Sequence, residues 1–417
     1  MQEIGAWRIV SKRRTVGIVW RSCLLSNRKF LVYFGGFYII DGETRYWKHK
    51  VKRDDMATVY LNIGLPKTDA TAVQDFLREN KDALKKQGYC FPNFQIYINE
   101  KNRNGCFLLQ DGSVRGEAFQ ELEELAKEYD YIILSDEEIW QAAAKNPQFW
   151  KETPEDFEKI GCRLKVIVYL YRQDLLAQSL WLSRVQSNVI KETESFQACL
   201  ECGALADFPM DYHECLTEIS EAISKENLLV RVGEEGQLKG EEHSVFSDFF
   251  EAVGLTLTKE FSRETLKEDW VLKGNFIEIK RILNSVPEYR KMEDFMCESI
   301  ASVSKHLSKS GKLKNASFFA PGAQAAYLKQ FDESNKKVAQ AYLDRADGRL
   351  FHEPVEELPT WQADLDAMPR DILLFGTSIF CLQEKELQTL SGNIQELEDN
   401  FLFKICKKAY KRIWYRK

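Results

Sequence analysis

Four short, almost continuously apolar runs constrain the fold of this chain more than any other feature. The runs are Thr58 to Ile63, Tyr131 to Leu134, Leu164 to Leu170 and Leu228 to Val232. Between them, apolar residues recur at helical spacing over Phe119 to Tyr129, Gln173 to Asn188 and Tyr212 to Ser224. Strands that are apolar on both sides are typical of parallel sheets covered by helices on both faces. The alternation therefore predicts an α/β fold, a doubly wound parallel sheet flanked by helices.

Beyond about residue 260 the pattern is mostly helical, which predicts a helical C-terminal region. The last stretch, Glu384 to Lys417, is a long helical pattern that is first polar and then basic. It carries no strand signal, so we expect it to add helix and not to extend the sheet.

Charge is distributed unevenly along the 417 residues, whose net charge is −6. Residues 1–55 carry twelve basic and five acidic residues, and residues 401–417 carry seven basic and no acidic ones, which leaves −20 on residues 56–400. A segment with this much negative charge repels a nucleic-acid backbone, so no nucleic-acid partner is expected. The change in charge at Met56 predicts that residues 1–55 form a basic N-terminal extension ahead of the core.

The longest uncharged apolar run, Phe30 to Ile40, has eleven residues, about half of what a membrane-spanning helix needs. A cytoplasmic location is therefore expected. The ten cysteines are scattered without a disulfide framework, so reduced thiols are expected. Cys199, Cys202, His213 and Cys215 are potential zinc ligands, but their spacing matches none of the usual structural zinc patterns, and no metal is predicted.

A candidate anion-binding site lies in the loop that follows the first apolar run. Gly64-Leu65-Pro66-Lys67-Thr68 separates that strand from a helical pattern. Backbone N–H groups at a helix N-terminus attract anions, and Lys67 adds a mobile positive charge. The nucleoside triphosphatase loop requires Gly-Lys-Ser/Thr, which is absent here, so a kinase that uses a nucleoside triphosphate is disfavoured. The sequence predicts a binding site for a different phosphate.

Residues 61–74, which read LNIGLPKTDATAVQ, resemble the 5′-phosphosulfate loop of the PAPS-dependent sulfotransferases, where PAPS is 3′-phosphoadenosine 5′-phosphosulfate. The bacterial branch of that family reads close to IGLPKTGTTALQ. Further blocks follow in the family's order: Gly88 to Pro92, Ile132 to Glu137, Lys165 to Asp174 with Ser179, Asn227 to Arg231, and Phe331 to Asn335. The resemblance covers about residues 56–356. It implies a P-loop-like sulfotransferase domain there, followed by a helical tail at 357–417.

The resemblance implies transfer of a sulfuryl group from PAPS to a hydroxyl or amine, without a metal. It implies that the 5′-phosphate is held by Pro66, Lys67, Thr68, Asp69, Ala70 and Thr71, and the 3′-phosphate by Arg172 and Ser179. Lys67 would also neutralise charge on the leaving phosphate oxygen. Glu137, at the C-terminal end of a core strand, is the first candidate for the general base, with an ordinary solvated carboxylate as the alternative. The implied acceptor is a glycan or a lipid-linked saccharide of polysaccharide biosynthesis.

Four positions depart from the family pattern. Asp69 replaces a glycine, and two like charges about 4 Å apart at an effective dielectric of 20 cost about 4 kcal/mol. Ala70 replaces a threonine. Tyr171 stands where an arginine is expected eight residues before Ser179, and Arg172 takes its place only if the chain bends. Gly233 stands where an aromatic residue often packs on the adenine. The alternative function is therefore a catalytically weakened paralogue that serves as a binding or scaffold protein.

The tail, residues 401–417, mixes aromatic and basic residues as interfacial helices do. One interpretation is peripheral contact with the inner face of a membrane, which would suit an enzyme that acts on lipid-linked glycans. The other is a helix that packs on the acidic body. The sequence leaves both open.

Overall fold

The computed structural model describes residues 56–64, 70–94, 103–187, 189–240, 242–262, 272–286, 299–304 and 316–399. In the first 45 residues it describes only short strands. Its contacts divide the chain into two units, Met1–Met56 and Ala57–Lys417.

The N-terminal unit contains antiparallel strand pairs. β1 (Arg8–Ser11) pairs with β2 (Arg14–Gly17), and β3 (Leu24–Leu25) pairs with β4 (Lys29–Phe30). A three-stranded sheet follows, formed by β5 (Val32–Phe34), β6 (Phe37–Ile40) and β7 (Glu43–Arg45). The apolar run Phe30 to Ile40 thus contributes strands to antiparallel pairs.

The second unit is built on a five-stranded parallel sheet. Its strands are β8 (Ala57–Asn62), β9 (Tyr89–Cys90), β10 (Tyr131–Ser135), β11 (Cys162–Leu170) and β12 (Leu228–Val232). They lie in the order β12-β11-β8-β10-β9, and every neighbouring pair is parallel. β8 is central because β10 and β11 flank it. The four predicted apolar runs are all strands of this sheet.

Helices cover both faces of the sheet. They are α1 (Ala70–Glu79), α2 (Lys81–Lys86), α3 (Gly112–Ala126), α4 (Ile139–Lys145), α5 (Phe149–Lys159), α6 (Gln173–Gln186), α7 (Phe196–Glu201), α8 (Tyr212–Ile223), α9 (Val245–Val253), α10 (Asn275–Asn284), α11 (Ala323–Lys329), α12 (Asp332–Tyr342) and α13 (Met368–Asp399).

Alternate residues of the strands enter two different cores. Val59 and Leu61 of β8 belong to a large cluster with α3 to α8 and α10, whereas Tyr60 belongs to a smaller cluster with α1, α2 and α9. This two-sided burial is why the strands are apolar at consecutive positions. The prediction of a doubly wound α/β fold is confirmed.

The C-terminal helix differs in its bounds from the pattern that begins at Glu384. α13 starts sixteen residues earlier, at Met368, and its first turn follows Asp364, whose Oδ1 accepts hydrogen bonds from the N–H groups of Asp366 and Ala367. The run Ile372 to Phe375 places apolar residues on every side of the helix, so it shows no helical period in the sequence. Among the described residues, no helix is both long and apolar enough to cross a membrane. Residues 401–417 lie outside the described part.

Candidate functional site

The C-terminal ends of β8, β10 and β11 meet at one edge of the sheet, where the chain order reverses around β8. Parallel α/β sheets bind ligands at such switch points. The strand ends lie side by side. Asn62 at the end of β8 pairs with Ser135 at the end of β10 and with Ile167 of β11. The candidate site is therefore built at this edge.

The predicted phosphate loop joins β8 to α1 at the same edge. Pro66, Lys67, Thr68 and Asp69 lie outside the described residues, so their assignment stays a prediction. α1 begins at Ala70, directly after the loop, and Thr71 follows in its first turn, although the side chains of these two residues are not described. A ten-residue helix that starts here points the N–H groups of its first turn towards the loop.

Gln74, one turn into α1, connects the helix to the end of β10. Its Nε2 donates hydrogen bonds to Ser135 Oγ and to Glu137 Oε2, each at 3.0 Å, and its side chain is buried. Asn62 Nδ2 also donates to Ser135 Oγ, at 3.1 Å. The end of β8, the first turns of α1 and the end of β10 are thus tied together by polar side chains. Asn62 Oδ1 is buried without a hydrogen-bond partner among the described residues.

Glu137 is the predicted general base, and the structure places its carboxylate next to α1. Glu137 is only partly buried, and its Oε2 accepts the hydrogen bond from Gln74. One carboxylate oxygen thus accepts from Gln74, while a carboxylate has capacity for further hydrogen bonds. The arrangement can hold the group in one orientation while it accepts a proton. Gln74 belongs to the matched block at 61–74, but the sequence alone gives no signal for its hydrogen bond to Glu137.

The neighbouring carboxyl, Asp136, is fully buried and faces Arg103. Arg103 Nε and Nη2 donate to Asp136 Oδ1 at 3.1 and 2.9 Å, and Nη2 also donates to Oδ2 at 3.1 Å. The backbone N–H of Glu138 donates to Oδ1 at 2.9 Å. Burial raises the pKa of Asp136 to about 7, although Arg103 and the Glu138 N–H act to lower it. This pair fixes the turn that carries Glu137.

Arg103→Met should destabilise the protein by an amount that grows with pH. Without the cation, the pKa of Asp136 rises further above 7, so the folded variant holds the proton more tightly than the unfolded chain, whose Asp pKa is about 3.9. A buried acid with a raised pKa makes the folded protein less stable as pH rises towards that pKa. In the wild type this loss is complete near pH 7, so the stability of the variant falls relative to the wild type above pH ~7. We expect the difference in unfolding free energy to grow by up to about 1.4 kcal/mol per pH unit there.

Urea unfolding of both proteins between pH 5 and pH 9 measures this difference. Arg78→Met is the matched control, because Arg78 pairs with Asp75 at the surface and its loss should cost little at any pH. A difference for Arg103→Met that stays constant from pH 5 to pH 9 would mean that Arg103 does not lower the pKa of Asp136 in this range.

Arg172, the predicted 3′-phosphate ligand, is engaged by groups of the chain itself. Its Nε and Nη2 donate to the two oxygens of Asp174 at 2.8 and 3.1 Å, and its Nη1 donates to the carbonyl oxygens of Glu353 and Pro354 at 3.0 and 3.1 Å. Arg172 and Asp174 are both buried. A role towards a 3′-phosphate stays a prediction, and it would require these contacts to rearrange.

Two of the sequence departures are in contact with each other. A Cβ atom built on Gly233 would lie 2.2 Å from Cζ of Tyr171, so the tyrosine ring lies directly over the glycine. A larger residue at position 233 would collide with this ring. Tyr171 and Gly233 therefore pack against each other, a contact that the sequence alone does not reveal.

Ser179 lies on α6, seven residues after Arg172, and is partly buried. Its predicted role towards a 3′-phosphate stays a prediction. Cys199 of α7 is buried and Cys202 is exposed. Within the described residues, no group of three or more His, Cys, Asp or Glu side chains is arranged to hold a metal ion.

Comparisons with known proteins give little further information. No protein-family model matches the sequence. A protein of Archaeoglobus fulgidus that is described only as uncharacterized is 24% identical over 213 residues, which are 50% of this chain and 53% of that protein. The chain thus spans about half the length of the curated relative that it matches.

Among solved structures, the chain aligns with retinol dehydratase in a complex with retinol and PAP. The alignment covers 78% of this chain and 93% of that one, with 13% identity and a TM-score of 0.25. A TM-score this low does not establish a shared fold or activity.

Proposed function

We propose that this chain is a sulfotransferase-like enzyme that transfers a sulfuryl group from PAPS to a hydroxyl or amine of a glycan or lipid-linked saccharide. The observation that carries the proposal is the hydrogen bonding of Gln74 to Ser135 and Glu137 at the switch point of the sheet. It joins two blocks that resemble the family, 61–74 and 132–137, through their side chains. The family resemblance places both blocks at the donor site, and this contact is consistent with that placement.

The residues fit the 5′ end of such a donor better than its 3′ end. The N-terminus of α1, at the C-terminal end of the central strand, would serve the 5′ end together with the predicted loop that contains Lys67. At the 3′ end, Arg172 already donates to Asp174 and to two carbonyl groups. In the described structure, Arg172 therefore has little hydrogen-bonding capacity left for a phosphate.

When bound, PAPS supplies an activated sulfuryl group on a phosphate leaving group. Lys67 would offset negative charge on the leaving phosphate oxygen, and the N–H groups at the start of α1 would orient the 5′-phosphate. Glu137, held by Gln74, would accept the proton of the acceptor hydroxyl or amine. Positioning and electrostatics would supply most of the rate, as in phosphoryl transfer.

A second function, ligand binding or scaffolding without catalysis, is favoured by one specific observation. The ring of Tyr171 fills the space over Gly233, and Arg172 is turned into the protein beside it. A paralogue that has lost the 3′-phosphate contacts would keep the fold and the polar network at β10 while binding another anion or none.

Incubation of the chain with PAPS and a panel of saccharide acceptors tests the proposal. We expect formation of adenosine 3′,5′-bisphosphate that depends on an acceptor and is lost in Lys67→Ala. No product with any acceptor, from a protein that unfolds cooperatively, would favour the binding function.

A further inference from the structure

A segment of residues 350–358, called the strap below, lies against the C-terminal ends of β11 and β12. Arg172 follows the last residue of β11 by two positions, and Glu234 follows the last residue of β12 by two. Both side chains are buried, and both form hydrogen bonds with the backbone of the strap. The strap therefore covers the part of the sheet edge where the predicted 3′-phosphate ligand lies.

The strap uses most of the hydrogen-bonding capacity that Arg172 could offer to a ligand. A guanidinium has five N–H groups. Asp174 accepts from Nε and Nη2 at 2.8 and 3.1 Å, while the carbonyl oxygens of Glu353 and Pro354 accept from Nη1 at 3.0 and 3.1 Å. Of the three N–H groups that Asp174 leaves, the strap takes two. A phosphate bound by Arg172 needs these same donors, because arginine recognises phosphate through paired N–H groups.

Glu234 holds the same part of the strap through its two backbone N–H groups. Its Oε2 accepts from the N–H of His352 at 2.7 Å, and its Oε1 accepts from the N–H of Glu353 at 3.2 Å. Hydrogen bonds to a carboxylate are stronger than those between neutral groups. Arg172 and Glu234 thus clamp the strap between a cation on its carbonyl groups and an anion on its N–H groups.

The strap is fixed at its two ends and exposed between them. At one end Leu350 is buried, and its carbonyl oxygen accepts from Gln237 Nε2 at 3.1 Å. Directly after the strap, the carbonyl oxygen of Pro359 accepts from the N–H of Ser317 at 3.0 Å. Residues 352–358 are exposed and form neither helix nor strand. Segments with few buried side chains open at a low free energy, so the middle of the strap can lift while its ends stay in place.

The charge of the strap makes its closed position unfavourable for a phosphate beside it. Glu353, Glu356 and Glu357 are exposed, and the strap contains no Lys or Arg. A phosphate at Arg172 would therefore face like charges as well as occupied donors. A ligand that binds one conformation better shifts the population towards it. A nucleotide with a 3′-phosphate has this preference for the open strap, whereas a nucleotide with a 3′-hydroxyl does not.

We propose that the strap is an autoinhibitory contact, in which the carbonyl groups of Glu353 and Pro354 occupy Arg172 until the 3′-phosphate of a nucleotide displaces them. The inference rests on the proposed function, because this phosphate is that of the donor PAPS. Glu234 is then a positioning residue that holds the strap closed. The apparent affinity for the nucleotide is lowered by the fraction of molecules in which the strap is open.

Hydrogen–deuterium exchange of the full chain, followed by mass spectrometry of peptides from residues 350–358, tests the proposal. Saturating adenosine 3′,5′-bisphosphate should speed exchange at the amides of His352 and Glu353 about 10-fold, the protection that one hydrogen bond provides. Adenosine 5′-monophosphate, which lacks the 3′-phosphate, should leave the exchange unchanged. A bound bisphosphate that slows this exchange or leaves it unchanged would overturn the proposal.

A matched pair of variants, Glu353→Pro and Glu353→Ala, tests the effect of the strap on affinity. Both remove the same exposed carboxylate, but only proline also removes the N–H that Glu234 accepts. Proline fits there because a residue that precedes a proline, here Pro354, favours extended backbone. In calorimetric titrations, Glu353→Pro should bind the bisphosphate about 10-fold more tightly than Glu353→Ala, and both should bind the monophosphate equally.

The outcomes separate this inference from the proposed function. Equal bisphosphate affinities in the two variants, with binding in both, would overturn the autoinhibitory strap and leave the proposed function in place. No bisphosphate binding by the wild type or by either variant would overturn both.

Discussion

Glu137→Gln is expected to lower the turnover of sulfuryl transfer by about 100- to 10,000-fold, the usual contribution of a general base. The amide oxygen of the new side chain can still accept the hydrogen bond from Gln74, so the local structure should persist. Proton acceptance is lost, whereas the affinity for adenosine 3′,5′-bisphosphate should change little. Initial rates at saturating PAPS, together with calorimetric titration of the bisphosphate, separate the two effects.

Glu138→Gln is the matched control for Glu137. Glu138 is the next residue, is exposed, and pairs with Arg103 at 2.8 Å, so its replacement removes one carboxylate from the same turn. We expect nearly normal turnover. Equal turnover in the wild type and in Glu137→Gln would remove Glu137 from the role of base.

Asp174→Ala is expected to lower the free energy of unfolding by about 3–5 kcal/mol, because it breaks a buried ion pair by removing one partner. The guanidinium of Arg172 would keep its two carbonyl acceptors but lose both carboxylate oxygens, and it lies in a buried environment. The side chain of Gln324 would lose its acceptor as well. Urea unfolding followed by circular dichroism measures the loss.

The surface pair of Asp75 and Arg78 provides the comparison for Asp174. Asp75→Ala removes the same chemical group from a pair on α1 at 3.2 Å, and it should cost less than about 1 kcal/mol. A loss for Asp174→Ala as small as that for Asp75→Ala would show that Arg172 is not held by Asp174. Only the two carbonyl groups of Glu353 and Pro354 would then compete with a phosphate for Arg172.

The sheet could be predicted from the sequence because its central strands are buried on both faces. β8, β10, β11 and β12 each coincide with an apolar run, because side chains on both faces of these strands pack into the two core clusters. The short edge strand β9 has two residues, and no run of that length is distinctive. α1 was predictable from the spacing of Val73, Phe76 and Leu77, which all enter the smaller core cluster.

The contacts at the edge of the sheet were less accessible to sequence reasoning. The motif at 132–137 identified Glu137 as a candidate, but the bond from Gln74 spans sixty-three residues of sequence and follows only from the parallel pairing of β8 with β10. Besides Asp174, the partners of Arg172 are two carbonyl groups about 180 residues away, and carbonyl groups carry no sequence signal. The contact of Tyr171 with Gly233 depends likewise on the pairing of β11 with β12.

Calorimetric titration with adenosine 3′,5′-bisphosphate tests the central claim most directly. It compares the wild type with Lys67→Ala and with a revertant that carries Asp69→Gly, Ala70→Thr and Tyr171→Arg. The account predicts binding by the wild type that is lost in Lys67→Ala, and tighter binding by the revertant. No binding by the folded wild type, with binding by the revertant, would contradict the claim that this chain uses PAPS and would leave the binding or scaffold function.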